Sequence, residues 1–320
     1  MTDLRTRVGT VELPNPVMTA AGTSGHGAEL QSFFDLSELG AVVVKSLSTL
    51  PWAGNPAPRV CAVPGGMLNG VGLQGPGIKA WVEDDLPALV RAGARVVVSI
   101  WGGRVDDYAE AALLLGELIG PPAAADGVVA VEVNVSCPNL EDRSRMFAHS
   151  PEATAAAVSA AAACGRPLWA KLSPNTHEIR QVAGAAVEAG AEALTLVNTL
   201  VGLAIDDVTH RPVLGAGGGG LSGAALHSVA LRAVFDCSAA YPDTPIVGVG
   251  GISDGLGALR MLAAGASAIQ VGTATLADPR APERVLAELA ALLAAEGASL
   301  HDVIGAAHRD RHQETSVQPR

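Results

Sequence analysis

The stretch Val128–Asn139, VVAVEVNVSCPN, decides how this chain is interpreted. It begins as an apolar, β-branched run typical of a fully buried strand, and it ends in polar residues around a proline. Asn134, Cys137 and Asn139 would make a poor core, but amides and a thiol together can hold a polar ligand. Most free cysteines are small buried hydrophobes. The position of Cys137 beyond the apolar run and beside Pro138 favours a catalytic role instead.

On both sides of this stretch, the sequence repeats a unit of strand, short turn and amphipathic helix. The repeat predicts parallel βαβ units with right-handed crossovers, and eight such units close a (β/α)8 TIM barrel of the α/β class. A chain of 320 residues can form such a barrel as one domain. The predicted strands are Pro16–Ala21, Ala41–Lys45, Arg95–Ile100, Val129–Asn134, Leu168–Leu172, Leu194–Asn198, Ile246–Gly250 and Ala268–Gly272. The predicted helices are Ile78–Ala92, Asp106–Ile119, Pro151–Ala163, Thr176–Ala189, Ala225–Ala239, Asp254–Ala264 and Ala281–Ala295.

The remaining segments are arranged around this barrel. Met1–Pro14 is expected to form an N-terminal hairpin that closes the barrel floor, and Gly297–Gly305 to add a last turn. Residues 308–320 are polar and are predicted to be a flexible tail, which leaves residues 1–307 as a single domain. Inserted loops are expected after strands two, four and six: Ser46–Gly77, the segment that follows Cys137, and Thr199–Gly223.

Composition excludes several classes of protein. The net charge of −11 argues against nucleic acid as a partner, because a binding face would need clustered Lys and Arg. No segment approaches the roughly 18 apolar residues of a membrane span, and the N-terminus has no signal-peptide core, so a cytoplasmic protein is expected. The four cysteines include no C-x-x-C pair, so no metal or cluster site is predicted.

Active sites of such barrels lie at the C-terminal ends of the strands. The chain has only three lysines, and Lys45 and Lys171 both fall at such ends. Asparagine is also scarce and recurs at strand ends and in a glycine-rich turn; an amide offers a donor and an acceptor together, which suits a planar heterocycle such as a pyrimidine. The candidate polar positions are Lys45, Ser46, Asn69, Ser99, Asn134, Cys137, Asn139, Lys171, Ser173, Asn198 and Thr199.

Glycines follow the last two strands, in VGVGGISDG and IQVGTATLADP. The loops after strands seven and eight of α/β barrels commonly bind a phosphate through backbone N–H groups. Gly250, Gly251, Gly272 and Thr273 are therefore the predicted phosphate site.

These segments together resemble class 1 dihydroorotate dehydrogenases, most of all the NAD-linked subclass. The resemblance covers nearly the whole chain, and the combination of NVSCPN, KLSPN and VNT is its most specific part. The matching segments are NPVMTAAGTSG, VVVKSLSTLPWAGNPAPRV, GMLNGVGLQGPG, VEVNVSCPNLED, WAKLSPNTHEI, TLVNTLVG, GGLSG, IVGVGGI and AIQVGTA.

The resemblance implies an FMN-binding barrel that oxidises dihydroorotate to orotate in pyrimidine (UMP) synthesis. Cys137 would be the general base that takes the proton from substrate C5, while a hydride leaves C6 for flavin N5. Cysteine at position 137 is similar to the class 1 enzymes, whereas the membrane-linked class has serine at the corresponding position. The substrate would be bound by Lys45, Asn69, Gly70, Val71, Gly72, Leu73, Asn134, Asn139, Asn198 and Thr199. FMN would be bound by Ala21, Lys45, Ser46, Ser99, Asn134, Lys171, Val197, Gly223, Gly250, Gly251, Gly272 and Thr273.

The resemblance also implies partners. Electrons would leave through a second subunit that carries FAD and a two-iron, two-sulfur cluster, or through a soluble acceptor, and a homodimer of barrels would form the core. The chain departs from the family pattern at Ser99, where relatives usually have Asn, and at Ala224, where they usually have Pro. The loop after Cys137 carries Arg143, Arg145 and His149. These are interpreted as solvated charges, or alternatively as a site for an extra carboxylate on a relative of dihydroorotate.

Three other functions stay open at this point. The chain could be a related flavin-dependent oxidoreductase that acts on another dihydropyrimidine or dihydroorotate-like substrate. It could be a redox-inert isomerase or aldolase in which Lys171 forms a Schiff base. It could also be a flavin-binding protein without catalysis, in which case Cys137→Ser would change nothing measurable.

Overall fold

A computed structural model describes residues 3–121, 127–139 and 145–309, and for Pro138 and Asn139 it describes the backbone alone. Its strands, in chain order, are β1 Thr6–Val8, β2 Val11–Leu13, β3 Val17–Thr19, β4 Val42–Val43, β5 Val60–Val63, β6 Gly66–Asn69, β7 Val96–Ile100, β8 Val128–Asn134, β9 Pro138–Asn139, β10 Arg145–Met146, β11 Leu168–Leu172, β12 Ala193–Leu196, β13 Leu200–Gly202, β14 Gly219–Ser222, β15 Ile246–Val249 and β16 Ala268–Val271.

The helices lie between these strands. In chain order they are α1 Ile78–Ala80, α2 Leu86–Arg91, α3 Val105–Ile119, α4 Pro151–Ala161, α5 Ile179–Glu188, α6 His227–Ala240, α7 Gly255–Ala263, α8 Thr273–Ala277, α9 Ala281–Glu296 and α10 Leu300–Val303. A π-helical segment, Trp81–Asp85, joins α1 to α2. Short 3-10 turns are Glu29–Ser32, Leu36–Glu38, Phe147–His149, Ala162–Cys164, Ala224–Leu226 and Ala306–His308.

Eight parallel strands form the barrel, in the order β3-β16-β15-β12-β11-β8-β7-β4. A parallel bridge between Met18 and Ala41 brings the two ends of this sheet together. The strands are buried on both faces, as expected of parallel strands that pack against helices outside and side chains inside. The predicted eight-stranded barrel is therefore confirmed.

Several predicted elements are longer than the observed ones. The second barrel strand is short because the Lys45 N–H donates to the carbonyl of Gly25 and not to a neighbouring barrel strand. The helix predicted from Thr176 begins at Ile179, because the Thr176 hydroxyl instead accepts a hydrogen bond from the Glu178 N–H. The short helix α8 was not predicted.

The N-terminal hairpin of β1 and β2 closes the bottom of the barrel. Val8, Val11 and Leu13 are buried there against inward-facing side chains of the barrel strands, including Trp169. At the other end of the chain, His308 stacks on Phe235 with ring centroids 4.1 Å apart, so the packed region continues through His308, which was predicted to begin the tail.

The opposite end of the barrel is roofed by a second sheet, in the order β13-β14-β6-β5. Strands β5 and β6 come from the segment after the second barrel strand, and β13 and β14 come from the segment after the sixth. After the fourth barrel strand, β9 pairs with β10. This roof places Asn69 and Ser222 above the barrel mouth.

In the described part of the chain, no single helix is long and apolar enough to cross a membrane. One pair of helical segments, Ala281–Glu296 and Leu300–His308, meets the length and composition test together, and it is bent by 84°.

Candidate active site

A cleft of about 270 Å³ opens at the C-terminal ends of the barrel strands, beneath the roof. Most of the predicted site residues line it: Ala21, Lys45, Ser46, Asn69, Val71, Gly72, Leu73, Asn134, Lys171, Val197, Asn198, Thr199, Gly223, Gly250, Gly251, Gly272 and Thr273. The structure also brings to the cleft residues that were not predicted: Ala20, Gly22, Thr23, Val60, Met67, Ser136, Met146, Ser222, Leu226, Val249 and Leu276.

Five candidate residues do not belong to this lining, and one of them is Ser173, which is fully buried and accepts from the Asn175 Nδ2 at 2.7 Å. Gly70 lies just outside the lining, and Cys137 is buried behind it with 1% of its surface exposed. Ser99 is fully buried, and its hydroxyl pairs with that of Ser46 at 2.8 Å, so it can reach a ligand only through Ser46. The side chain of Asn139 lies outside the described residues.

The amide of Asn134 is held in one orientation by its neighbours. Its Oδ1 accepts from the Asn198 Nδ2 at 3.3 Å and from the Ser136 backbone N–H at 3.1 Å. Its Nδ2 donates to the Ser46 Oγ at 3.3 Å. The two asparagines, one at the end of β8 and one just after β12, therefore form one donor and acceptor set at the cleft wall, as their positions in the sequence predict.

Cys137 sits on the turn that follows β8. Its Sγ donates to the carbonyl of Asn134 at 3.3 Å, and the hydroxyl of Tyr108 donates to the same carbonyl at 2.8 Å. Burial raises the pKa of the Cys137 thiol to about 12, whereas the Tyr108 hydroxyl, the Lys45 ammonium and the Gly102 N–H lower it. A proton acceptor at this position therefore depends on its neighbours to favour the thiolate.

Lys45 lies two residues beyond the second barrel strand and is largely buried beside the cleft. Burial lowers the pKa of its ammonium and Lys171 lowers it further, whereas Cys137 raises it. Among the described residues no carboxylate lies within ion-pair distance of Lys45. A buried cation without a partner is costly, so this position favours binding of an anion.

Lys171 has a very different environment inside the barrel. Its Nζ is 3.3 Å from the Glu132 Oε1 and 3.3 Å from the Gln270 Oε1. The Gln270 Nε2 donates to the Glu132 Oε2 at 2.8 Å. Sequence reasoning missed Glu132 and Gln270, although each interrupts an apolar strand, and Glu132 shares the inward face of β8 with Asn134.

One end of the cleft is a glycine cradle, which consists of Gly223, Gly250, Gly251 and Gly272. Gly251 has φ +67°, and a Cβ there would lie 2.7 Å from the carbonyl oxygen of Gly223. Two hydroxyls complete this end, because the Thr273 Oγ1 donates to the Ser222 Oγ at 2.8 Å. Bare backbone and hydroxyls in one concave surface suit a phosphate group.

The charged loop after Cys137 is only partly described. Arg143 lies outside the described residues. Arg145 is exposed on β10, and neither Arg145 nor His149 lines the cleft. Burial, together with Arg145, lowers the pKa of His149.

The comparisons with known proteins agree with this geometry. A family model described as dihydroorotate dehydrogenase matches residues 3–293. The chain belongs to this family. The dihydroorotate dehydrogenase resemblance found in the motifs is confirmed, and a dehydrogenase is an oxidoreductase.

Its relatives in the dihydroorotate dehydrogenase family match along nearly their whole length. The dihydroorotate dehydrogenase B (NAD(+)), catalytic subunit, of Desulforudis audaxviator is 46% identical over 299 residues, which cover 93% of this chain and 95% of that protein. The protein of the same name from Geotalea daltonii is 43% identical over 306 residues, covering 95% of this chain and 98% of that protein. These names support the class 1, NAD-linked assignment.

A solved structure shows the same fold. The crystal structure of DHODH in complex with ferulenol from Eimeria tenella superimposes with a TM-score of 0.77 at 23% identity. The match covers 96% of this chain and 89% of that chain.

Proposed function

We propose that this member of the dihydroorotate dehydrogenase family oxidises dihydroorotate to orotate in pyrimidine (UMP) synthesis, with FMN as its cofactor. The observation that carries the proposal is the ammonium of Lys45, which has no carboxylate within ion-pair distance among the described residues and lies close enough to Cys137 to lower the pKa of the thiol. A cation for a carboxylate therefore lines the cleft, and a potential base is buried close behind it.

The cleft fits FMN. Its glycine cradle lines one end of the cleft with bare backbone, the Ser222 and Thr273 hydroxyls lie beside it, and the buried ammonium of Lys171 can stabilise negative charge on a reduced ring. Bound FMN would supply the acceptor for a hydride. The residues that would hold it are Ala21, Lys45, Ser46, Asn134, Lys171, Val197, Gly223, Gly250, Gly251, Gly272 and Thr273, with Ser99 acting through Ser46.

Residues of the chain would bind the substrate and accept its proton. Lys45 binds the substrate carboxylate, which the acidic surface of a chain with net charge −11 would otherwise repel. Asn69, Asn134 and Asn198 match the imide and carbonyl edges of the pyrimidine. Cys137, as thiolate, takes the proton from C5. Gly70–Leu73, Asn139 and Thr199 complete the proposed substrate site.

The test is anaerobic mixing of the purified, FMN-loaded chain with dihydroorotate while the visible flavin band is followed. Rapid bleaching in the parent and greatly slowed bleaching in Cys137→Ala are expected. Cys164→Ala serves as a matched control, because Cys164 is an equally buried thiol outside the cleft lining and should leave bleaching unchanged. A chain that binds FMN but is not bleached by dihydroorotate would contradict the proposed substrate.

No observation favours the alternative oxidoreductase. Uracil-type dihydropyrimidines, which lack the carboxylate, should bleach the flavin poorly, because they leave Lys45 without a counter-ion. Arg145→Ala should leave the KM for dihydroorotate unchanged if that arginine is solvated, and a raised KM would favour a second carboxylate site in the charged loop.

The relatives are named catalytic subunits, and we propose that this chain likewise works with an electron-transfer subunit. That subunit would carry FAD and a two-iron, two-sulfur cluster, and a cytoplasmic homodimer of barrels, each a single domain of residues 1–307, would form the core. The purified chain alone should then reduce NAD(+) with dihydroorotate far more slowly than the assembled complex. Equal rates would contradict the need for a second subunit.

A further inference from the structure

Tyr108 is a fully buried polar residue that the proposed reaction leaves unexplained. It lies on α3, and its hydroxyl reaches the carbonyl of Asn134 at 2.8 Å, the same oxygen that accepts from the Cys137 Sγ at 3.3 Å. Two donors thus converge on one acceptor. If the sulfur loses its proton it becomes an acceptor itself, and the Tyr108 hydroxyl, which shares its present acceptor, can turn toward it.

The surroundings fix the ring of Tyr108 in this place. Phe147 packs edge-on against it, with ring centroids 5.3 Å apart and an interplanar angle of 83°. A Cβ at Gly102 would lie 3.0 Å from the Tyr108 Cδ2 and 2.7 Å from the Asp107 Cβ, so a larger residue would push the ring aside. Only the hydroxyl can therefore reorient without moving the helix.

The turn before α3 brings a second donor. The Asp107 Oδ2 accepts from the N–H groups of Gly103 and Arg104 at 2.8 and 2.9 Å, which anchors the turn at the helix start. Among the described residues the Gly102 N–H donates to no backbone carbonyl in the turns and loops, and it lies close enough to the sulfur and the phenol to lower the pKa of each.

We propose that Tyr108 is a positioning residue that stabilises the thiolate of Cys137, together with the Gly102 N–H and the Lys45 ammonium. This rests on the proposed role of Cys137 as base. The thiol first gives its proton to solvent, and the Tyr108 hydroxyl then donates to the sulfur. When the C5–H bond of the substrate breaks, the proton forms a new S–H bond and the hydroxyl returns to the Asn134 carbonyl.

The charged and titratable groups around the sulfur are consistent with this role. Lys45 and Tyr108 face it, Asp107 lies behind Tyr108, and Lys171 lies beyond Lys45 in the described part of the chain. Burial and the neighbouring Cys137 raise the pKa of Tyr108 well above its usual value, so its hydroxyl is a proton donor at neutral pH.

The first experiment titrates Cys137 in the substrate-free protein. Formation of the thiolate is monitored by the ultraviolet absorbance of the thiolate. Each spectrum is corrected with the same protein carrying Cys137→Ser. In Tyr108→Phe the thiolate pKa should rise by about one unit or more, since a hydrogen bond to a charged group is lost. Tyr241→Phe is the matched control, because this second of the chain's two tyrosines donates to the Arg180 carbonyl.

The second experiment is the pH profile of turnover. In Tyr108→Phe, kcat/KM for dihydroorotate should fall about tenfold on the acidic limb and recover at higher pH, because the whole limb shifts with the thiolate. A loss that is uniform at every pH would mark a merely structural role and overturn the proposal. If dihydroorotate is not the substrate, turnover fails in the parent too, whereas the thiolate titration still gives a result.

A third measurement keeps the proposal testable if Tyr108→Phe folds poorly. Fluorotyrosine incorporated into Tyr241→Phe replaces Tyr108 alone and retains its shape. Its more acidic hydroxyl is a stronger donor, so the thiolate pKa should fall relative to unlabelled Tyr241→Phe. An unchanged thiolate pKa in either experiment would overturn the role of Tyr108.

Discussion

Lys171 and Glu132 form an ion pair at 3.3 Å in the barrel interior, where 5% and 0% of their side chains are exposed. Gln270 bonds both partners, whereas the Glu132 Oε1 accepts no hydrogen bond from the described residues and contacts Lys171 only as an ion pair. Desolvation of two charges is costly, and removal of one partner leaves the other buried alone.

We therefore expect Glu132→Gln to lower the free energy of unfolding by about 3 kcal/mol, measured by urea denaturation. The control is Glu83→Gln, because Glu83 contacts Lys79 at 3.9 Å on the surface and both side chains are mostly exposed. That variant should unfold like the parent. A Glu132→Gln protein as stable as the parent would mean that the pair contributes no stability.

The glycine cradle predicts selective loss of FMN. Gly251→Ala and Gly297→Ala both place a side chain in the left-handed region, at φ +67° and +62°, and this conformation alone should cost each about 1 kcal/mol of stability, with a further steric cost at Gly251. Only at Gly251 does the new Cβ meet backbone, the carbonyl of Gly223, whereas nothing lies within 4 Å at Gly297. FMN titration by fluorescence quenching should show about tenfold weaker binding for Gly251→Ala alone. Equal affinities in both variants would refute the phosphate assignment.

The ammonium of Lys45, which has no carboxylate partner in the part of the chain that the structure describes, predicts a large effect on substrate binding. Lys45→Met should raise the KM for dihydroorotate about 100-fold, because a charge-assisted contact of about 3 kcal/mol is lost. Lys79→Met, at a solvent-exposed lysine, should leave KM as in the parent. Burial lowers the pKa of Lys45 below 10.5, so in the parent KM should begin to rise with pH before that value as the ammonium loses its charge.

The buried thiol of Cys237 predicts a loss of stability at alkaline pH. Burial, and then the charge of Asp236, raises its pKa to about 12 from 9.0. The folded state therefore holds this proton more tightly than the unfolded chain does. The stabilisation of the folded state by this proton is complete below pH 9.0. As pH rises toward 12 it is lost, and the free energy of unfolding falls by about 1.4 kcal/mol per pH unit.

Urea denaturation on both sides of pH 9.0 measures this slope. In Cys237→Ala the decline should be shallower, although the variant is less stable at neutral pH because a cavity forms. Cys61→Ala, at a partly exposed thiol, should keep the parent slope. Identical slopes in all three proteins would contradict the shifted pKa.

The barrel could be predicted because its strands appear in the sequence as short apolar runs between turn residues. Leu168–Leu172 is a short apolar run between turn signals, and the observed strand has the same bounds. The roof could not be predicted, because Gly66–Asn69 and Gly219–Ser222 have neither strand propensity nor alternation. They pair only because the barrel brings distant parts of the chain together.

The site was predictable to the extent that it depends on strand ends. Lys45, Asn134 and Asn198 follow from the rule that parallel strands place their carboxyl ends at one edge. Tyr108 could not be found in this way, because it lies on a helix and meets Cys137 only through the shape of a preceding turn. Ser99 was assigned to the ligand although Ser46 lies between them.

The register of the roof has a consequence for how this protein can change over evolutionary time. Asn69 faces Gly220 across the seam between two segments that are encoded about 150 residues apart, and its amide donates to the Gly220 carbonyl at 3.2 Å. A slip of one residue in either strand turns every side chain to the opposite face. A single deletion in one insert would therefore turn Asn69 away from the cleft, and a compensating deletion in the other could restore it. The two inserts should lengthen or shorten in concert, as one inherited unit.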